Sequence, residues 1–130
     1  MNKFIDIEKL LLKIITDGVK VKFEDRESLG WNTYGTFNHA EIIDYINLAD
    51  NDCWDAQIFG YKEPFNFNKT FKTKKLLGFI MMPNGNHKII LKLRNRGFSR
   101  KRFNKQLETY ISNYKLKNSI EGKYIDLEKD

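Results

Sequence analysis

The chain has 130 residues, enough for one domain with a sizeable core, and 41% hydrophobic with 14% aromatic content excludes a disordered chain. A net charge of +6, with a pI near 9.3, favours an anionic partner such as nucleic acid, a phosphate ligand or an acidic surface, without choosing among them. One cysteine, Cys53, excludes an internal disulfide and fits a reducing, cytoplasmic setting.

The opening Met1-Asn2-Lys3-Phe4, followed by Asp6 and Glu8, does not have the pattern of a signal peptide. No apolar run approaches the ~20 residues that span a bilayer, so no membrane partner is expected. Phe4, Ile7, Leu10, Leu11, Ile14 and Ile15 fall at helical spacing and predict an amphipathic helix over residues 4–16, ended by Asp17-Gly18. Residues 19–24 alternate apolar and polar and predict a half-buried strand. Residues 25–30 read as a turn, and 31–37 as a short aromatic strand. Ile42, Ile43, Tyr45, Ile46 and Leu48 predict a strand or a bulged segment.

Residues 54–59 predict a strand and 60–68, with Pro64, a loop. Residues 70–73 and 76–82 read as one long or kinked strand. Pro83-Asn84-Gly85-Asn86 is the clearest turn, because Asn-Gly supplies the positive φ values of a tight hairpin. Residues 87–93 return as a strand with Ile89, Leu91 and Leu93 on one face. Residues 94–100 are basic and glycine-containing, a loop. Phe103, Leu107, Tyr110, Ile111 and Tyr114 repeat at three and four, giving a second helix, and Tyr124-Ile125 is a candidate closing strand. The expectation is a single domain over 1–130, mostly β with flanking helices (α+β). Its parts are an N-terminal helix within 1–17, a five-stranded OB-like barrel within 19–93 and a C-terminal helix over 100–117.

Asp50-Asn51-Asp52-Cys53-Trp54-Asp55 places three carboxylates at the mouth of a strand, where Asp is disfavoured. Hard divalent cations take oxygen ligands, so a cation is one explanation for the crowding. An acidic surface turn is the competing one. Asp50 and Asp52 point the same way if extended; Asp55 needs a bend to join them, and Asn51 tolerates one. An EF-hand is excluded, because Asp55 stands where that loop needs glycine and Tyr61 where it needs glutamate. Lys22, Lys88 and Lys115, with Tyr34 and Tyr114, lie beside apolar strand or helix residues; together they are candidate phosphate ligands, although each alone reads as an edge lysine or a core tyrosine. Arg94, Arg96, Arg100, Lys101, Arg102 and Lys105 read either as a nucleic-acid stretch with Phe98 and Phe103 or as a solvated face. His39 and His87 lack zinc-spaced partners, and Cys53 reads as packing.

In this order the pieces resemble the soluble family I inorganic pyrophosphatases. The acidic stretch resembles that family's Asp-x-Asp-x-x-Asp signature. Trp31-Asn32-Thr33-Tyr34-Gly35-Thr36-Phe37-Asn38-His39 is similar to its Tyr-Gly-Tyr-Ile-x-His segment, Leu77-Gly78-Phe79 to its Ile-Gly-Val strand, and His87-Lys88-Ile89-Ile90 to its Lys-Ile-Ile strand. Tyr110-Ile111-Ser112-Asn113-Tyr114-Lys115 resembles its helix ending in Tyr-Lys, Gly122-Lys123-Tyr124-Ile125 its Gly-Lys-Trp-Val, and Lys22-Phe23-Glu24 its early Lys-Tyr-Glu strand. About residues 20–125 are covered. The resemblance implies a five-stranded barrel of the pyrophosphatase type, with Asp50, Asp52 and Asp55 binding Mg²⁺ and Asp52 receiving the proton of the attacking water. It implies that Lys22, Tyr34, Lys88, Tyr114 and Lys115 hold pyrophosphate.

The chain departs from that pattern at residues 83–87, where the family carries two further metal-binding aspartates and this chain offers only the neutral amide of Asn86. Cys53 replaces the family's proline, and its active-site arginine has only Arg26 as a candidate. Two missing carboxylates imply lower metal occupancy, and slow, redirected or absent hydrolysis. Three functions follow in order: Mg²⁺-dependent hydrolysis of a phosphoanhydride, foremost pyrophosphate; a catalytically impaired relative that binds a phosphate-bearing ligand or nucleotide; and, less favoured, a single-stranded nucleic-acid binder using residues 94–105. Homo-oligomerisation stays open.

Overall fold

The computed structural model describes residues 3–23, 38–59, 70–92 and 99–128. The first helix, α1 (Ile7–Asp17), starts three residues later than its hydrophobic spacing suggested, because the Asp6 carboxylate caps it by accepting the Lys9 N–H at 2.9 Å. Lys3–Phe4 forms instead a short strand, β1. Gly18, at φ +79°, ends the helix by donating its N–H to the Lys13 and Ile14 carbonyls.

Strand β2 (Val19–Phe23) alternates buried and exposed, as its sequence predicts. Strand β3 (Asn38–Asn47) carries a register break between Ile42 and Ile46, with Asp44 at φ 77°. Strand β4 (Asp52–Phe59) begins two residues earlier than expected. Strands β5 (Thr70–Thr73) and β6 (Lys75–Met81) are separated by Lys74 alone, the kinked strand read from the sequence. After β7 (Lys88–Lys92) come helix α2 (Arg100–Asn118), capped by Ser99, and β8 (Lys123–Asp126). The aromatic segment 31–37, the loop 60–68, and residues 94–98 lie outside the described residues.

The sheet runs β5-β2-β3-β4-β7-β6-β8, with β1 parallel to β3. β4 and β7 are parallel and the remaining pairs antiparallel, so the sheet is mixed. One residue of chain spans at most about 3.8 Å. Lys74 therefore holds β5, at one end of the order, against β6, next to last at the other. The sheet must curl, and a half-barrel results. Thr73 seals the corner: its hydroxyl donates to the Lys92 carbonyl at 2.7 Å and accepts the Lys75 N–H at 3.0 Å.

Two cores lie on opposite faces. Inside the curl, Val19, Val21, Phe23, Ala40, Ile42, Trp54, Ala56, Ile58, Ile89 and Leu91 pack with Leu10 and Ile14 of α1. Outside it, Phe103, Leu107, Tyr110 and Tyr114 of α2 cover Phe59, Leu77, Ile80, Met82 and Ile90. Gly78 admits β8 against this layer, since a Cβ there would stand 2.2 Å from the Ile125 carbonyl oxygen. The β6–β7 turn differs from the expected Asn-Gly hairpin. Its hydrogen bond runs from the Gly85 N–H to the Met82 carbonyl at 3.0 Å, which puts Pro83 at the position its fixed φ suits, and only Gly85 has positive φ.

Candidate functional site

Alternation along β3 and β4 turns Ala40, Ile42, Trp54 and Ala56 inward, and so places His39, Glu41, Asp55 and Gln57 on the outer face. Register then builds a cross-strand row. Lys22 stands opposite Glu41, and Glu41 opposite Asp55. The next strand, β7, supplies Lys88, whose Nζ donates to Asp55 Oδ2 at 2.6 Å. This ion pair joins residues 33 positions apart and is well buried, with side-chain exposures of 6% for Lys88 and 18% for Asp55. From the outer layer, Tyr114 places its ring 5.6 Å from the Lys88 ammonium, where the π face favours the cation.

Asp55 has a second neighbour. The Gln57 amide lies 2.7 Å from His39 Nδ1; donation to that nitrogen leaves the ring hydrogen on Nε2, which faces Asp55 Oδ1 at 3.6 Å. Glu41, His39 and Gln57 were not singled out as candidate ligands of this site. Alternation was their only sequence signal, along β3 for His39 and Glu41, where the break at Ile42/Ile46 obscures it, and along β4 for Gln57.

The acidic turn joins β3 to β4, three residues before Asp55 along the strand. Asn51, at φ 59°, makes the bend that the sequence assigned to it. Asp50 sits in the turn and accepts the Asp52 N–H at 3.2 Å; Asp52 opens β4 and accepts the Cys53 N–H at 2.8 Å. Both aspartates are exposed, unlike Asp55. The β6–β7 turn leans on this one, through the Asn47 amide donating to the Gly85 carbonyl at 3.2 Å and a close approach of Gly85 to Ala49. The field here is negative. Burial pushes the Cys53 thiol above its ordinary pKa, and the Glu41, Asp52, Asp44 and Asp55 carboxylates push it further.

Lys22 is exposed and shares the row. Lys115 follows Tyr114 but turns to solvent, with its ammonium 3.4 Å from Glu121. Tyr34 lies outside the described residues. The structure thus brings Asp55, Lys88 and Tyr114 together, with Lys22 aligned and Lys115 apart. Among the described residues no three His, Cys, Asp or Glu side chains form a metal-binding group. The donors still suit a hard cation: they are oxygens, and Asn86 Oδ1, in the turn that abuts the acids, is buried with no hydrogen-bond partner among the described residues. No protein-family model matches the chain, and no curated protein matches it significantly. No helix among the described residues is long and apolar enough to cross a membrane.

Proposed function

We propose that this chain is a short, divergent relative of the family I inorganic pyrophosphatases that hydrolyses a phosphoanhydride with Mg²⁺, foremost inorganic pyrophosphate. One observation carries the proposal. Asp55, Lys88 and Tyr114 belong to three separate stretches that resemble the family, and they meet at one buried ion pair on the outer sheet face. The strand order supports it as well. With β5 and β6 taken as one bent strand, the ring β2-β3-β4-β7-β6/β5 has five members and a single parallel pair, β4 with β7, an OB-like arrangement.

In this reading Asp50, Asp52 and Asp55 would hold Mg²⁺, which when bound supplies a more acidic water and a polarised phosphoryl group. Asp52, exposed at the rim, accepts the proton of the attacking water. Lys88, fixed between Asp55 and the Tyr114 ring, presents a positive charge to a phosphate oxygen, and Lys22 offers a second from across the row. Lys115 reaches the substrate only by leaving Glu121. The neutral hairpin at Asn84-Gly85-Asn86 leaves the site with fewer charges than the family pattern, so turnover should be slow. The test is phosphate release from pyrophosphate with and without Mg²⁺. Asp52→Asn should lower the rate by about 10²–10⁴-fold, the span of a general base. No Mg²⁺-dependent release, or release indifferent to the substitution, would count against the proposal.

A second reading rests on the ion pair itself. Asp55 is already neutralised by Lys88, which suits a site that binds a phosphate-bearing ligand or nucleotide without turning it over. Thermal stabilisation by such a ligand with no product formed would favour it.

A further inference from the structure

The cations of this chain are not distributed alike. Lys13 pairs with Asp17, Lys88 with Asp55, Lys92 and Arg100 with Glu128, and Lys115 with Glu121. The outer face of the β2–β5 ladder is different. Lys20, Lys22, Lys72 and Lys74 are all exposed there, and none of them is in an ion pair with a described residue. Register puts Lys20 directly opposite Lys72, a like-charge pair that a sheet ordinarily avoids. Alternation explains why they share a face: Val19, Val21, Phe71 and Thr73 take the inner positions.

The lysines form a line. Lys22 stands on one rung opposite Thr70, Lys20 and Lys72 share the next alternate rung, and Lys74 follows beside Gly18. Successive steps are about 7 Å and the line spans about 13 Å, from the strand rise. Gly18 helps to set the direction, because its bare Cα leaves room for the stems of Lys72 and Lys74; a Cβ there would lie 3.3 Å from Lys72 Cε and 3.0 Å from Lys74 Cγ.

We infer that this ribbon is a docking face for the phosphate backbone of single-stranded nucleic acid, bound without base recognition. The charges repeat at regular intervals along one line, which matches a linear polyanion. Among the described residues of the two strands no apolar or aromatic side chain shares this face with them, which suits contact with phosphates rather than stacking on bases or entry into a lipid surface. The face is the convex side of a curled sheet, which a flexible single strand follows more closely than a stiff duplex. This face is distinct from residues 94–105, the basic stretch to which the sequence pointed; Arg100 of that stretch is tied to Glu128 and Asp126.

The test is fluorescence anisotropy with a labelled oligothymidylate of about twelve nucleotides, titrated with the full chain between about 50 and 200 mM salt. Four lysines predict a log–log salt slope near −3, hence about 50-fold weaker binding across that range. The double variant K20Q/K72Q should lose about half of the slope, keep the wild-type circular dichroism, melt no lower than the wild type, and leave any phosphate release unchanged. The charge-matched control K101Q/K105Q, on α2, should retain most of the affinity. Equal losses in both variants would mean bulk charge rather than this face and would overturn the inference. So would binding to anionic phosphatidylserine vesicles, but not to the oligonucleotide, that depends on Lys20 and Lys72. Failure of the pyrophosphate assay bears on neither outcome.

Discussion

Trp54, Ala56 and Ile58 of β4 face the apolar cluster inside the curl, whereas Cys53, Asp55 and Gln57 of the same strand face Glu41, His39 and Lys88. The difference comes from what covers each side. The inner face is closed by the curl and by α1, so any charge there would lose its hydration without recompense. The outer face is covered by α2 only in part. Where that cover thins, beside Tyr114, a carboxylate and an ammonium are held half out of water. The site is thus the margin of the second core rather than a separate structure.

The sharpest way to break this comparison is Lys88→Met. It leaves Asp55 without its cation and should cost about 3–5 kcal/mol in urea unfolding, whereas pairing it with Asp55→Leu should recover most of the loss. A cost below about 1 kcal/mol would place the pair with ordinary surface ion pairs. Next come the two cores themselves. Phe103→Ala, in the outer one, should cost about 3–5 kcal/mol, and Leu10→Ala, in the inner one, about 2–5. If the two layers fold as one unit, far-ultraviolet circular dichroism and tryptophan fluorescence should lose their signals together in both variants. Loss of helical signal alone in Phe103→Ala would mean that the outer layer, and the site with it, opens independently.

The smallest effect is a pH dependence at the junction of the faces. His87 packs on Trp54 and Phe79 and accepts the Met82 N–H through Nδ1 at 2.9 Å, so it is held neutral. Burial, and then Lys88, set its pKa below the ordinary 6.5. The unfolded chain therefore binds a proton in that window which the folded chain refuses. Stability from this group is complete above 6.5 and falls as pH drops toward the lowered value. His87→Gln should flatten the urea midpoint between about pH 7.5 and 5; an unchanged slope would assign it to other groups.

Much of this architecture was legible because burial writes itself into spacing. The alternation of residues 19–23 and the three-and-four repeat of Phe103, Leu107, Tyr110 and Tyr114 needed no tertiary information. Glu41 was illegible for the opposite reason: its place beside Asp55 depends on a register that Asp44 interrupts, and register is a property of two strands. The Asp55–Lys88 pair depends on the parallel contact of β4 with β7, which neither strand announces locally. The Asn84-Gly85 turn was found, but its type was misjudged, since Pro83 rather than Asn84 takes the first corner.

The single residue at Lys74 sets a limit on how this chain can change. β5 reads its register from β2, and β6 reads its own from β7 and β8, across one intervening residue. An insertion of one residue there would keep one ladder only by reversing the faces of the other, sending Thr73 toward solvent or taking Leu77 out of the core under α2. Substitution at this corner is open to drift; length is not.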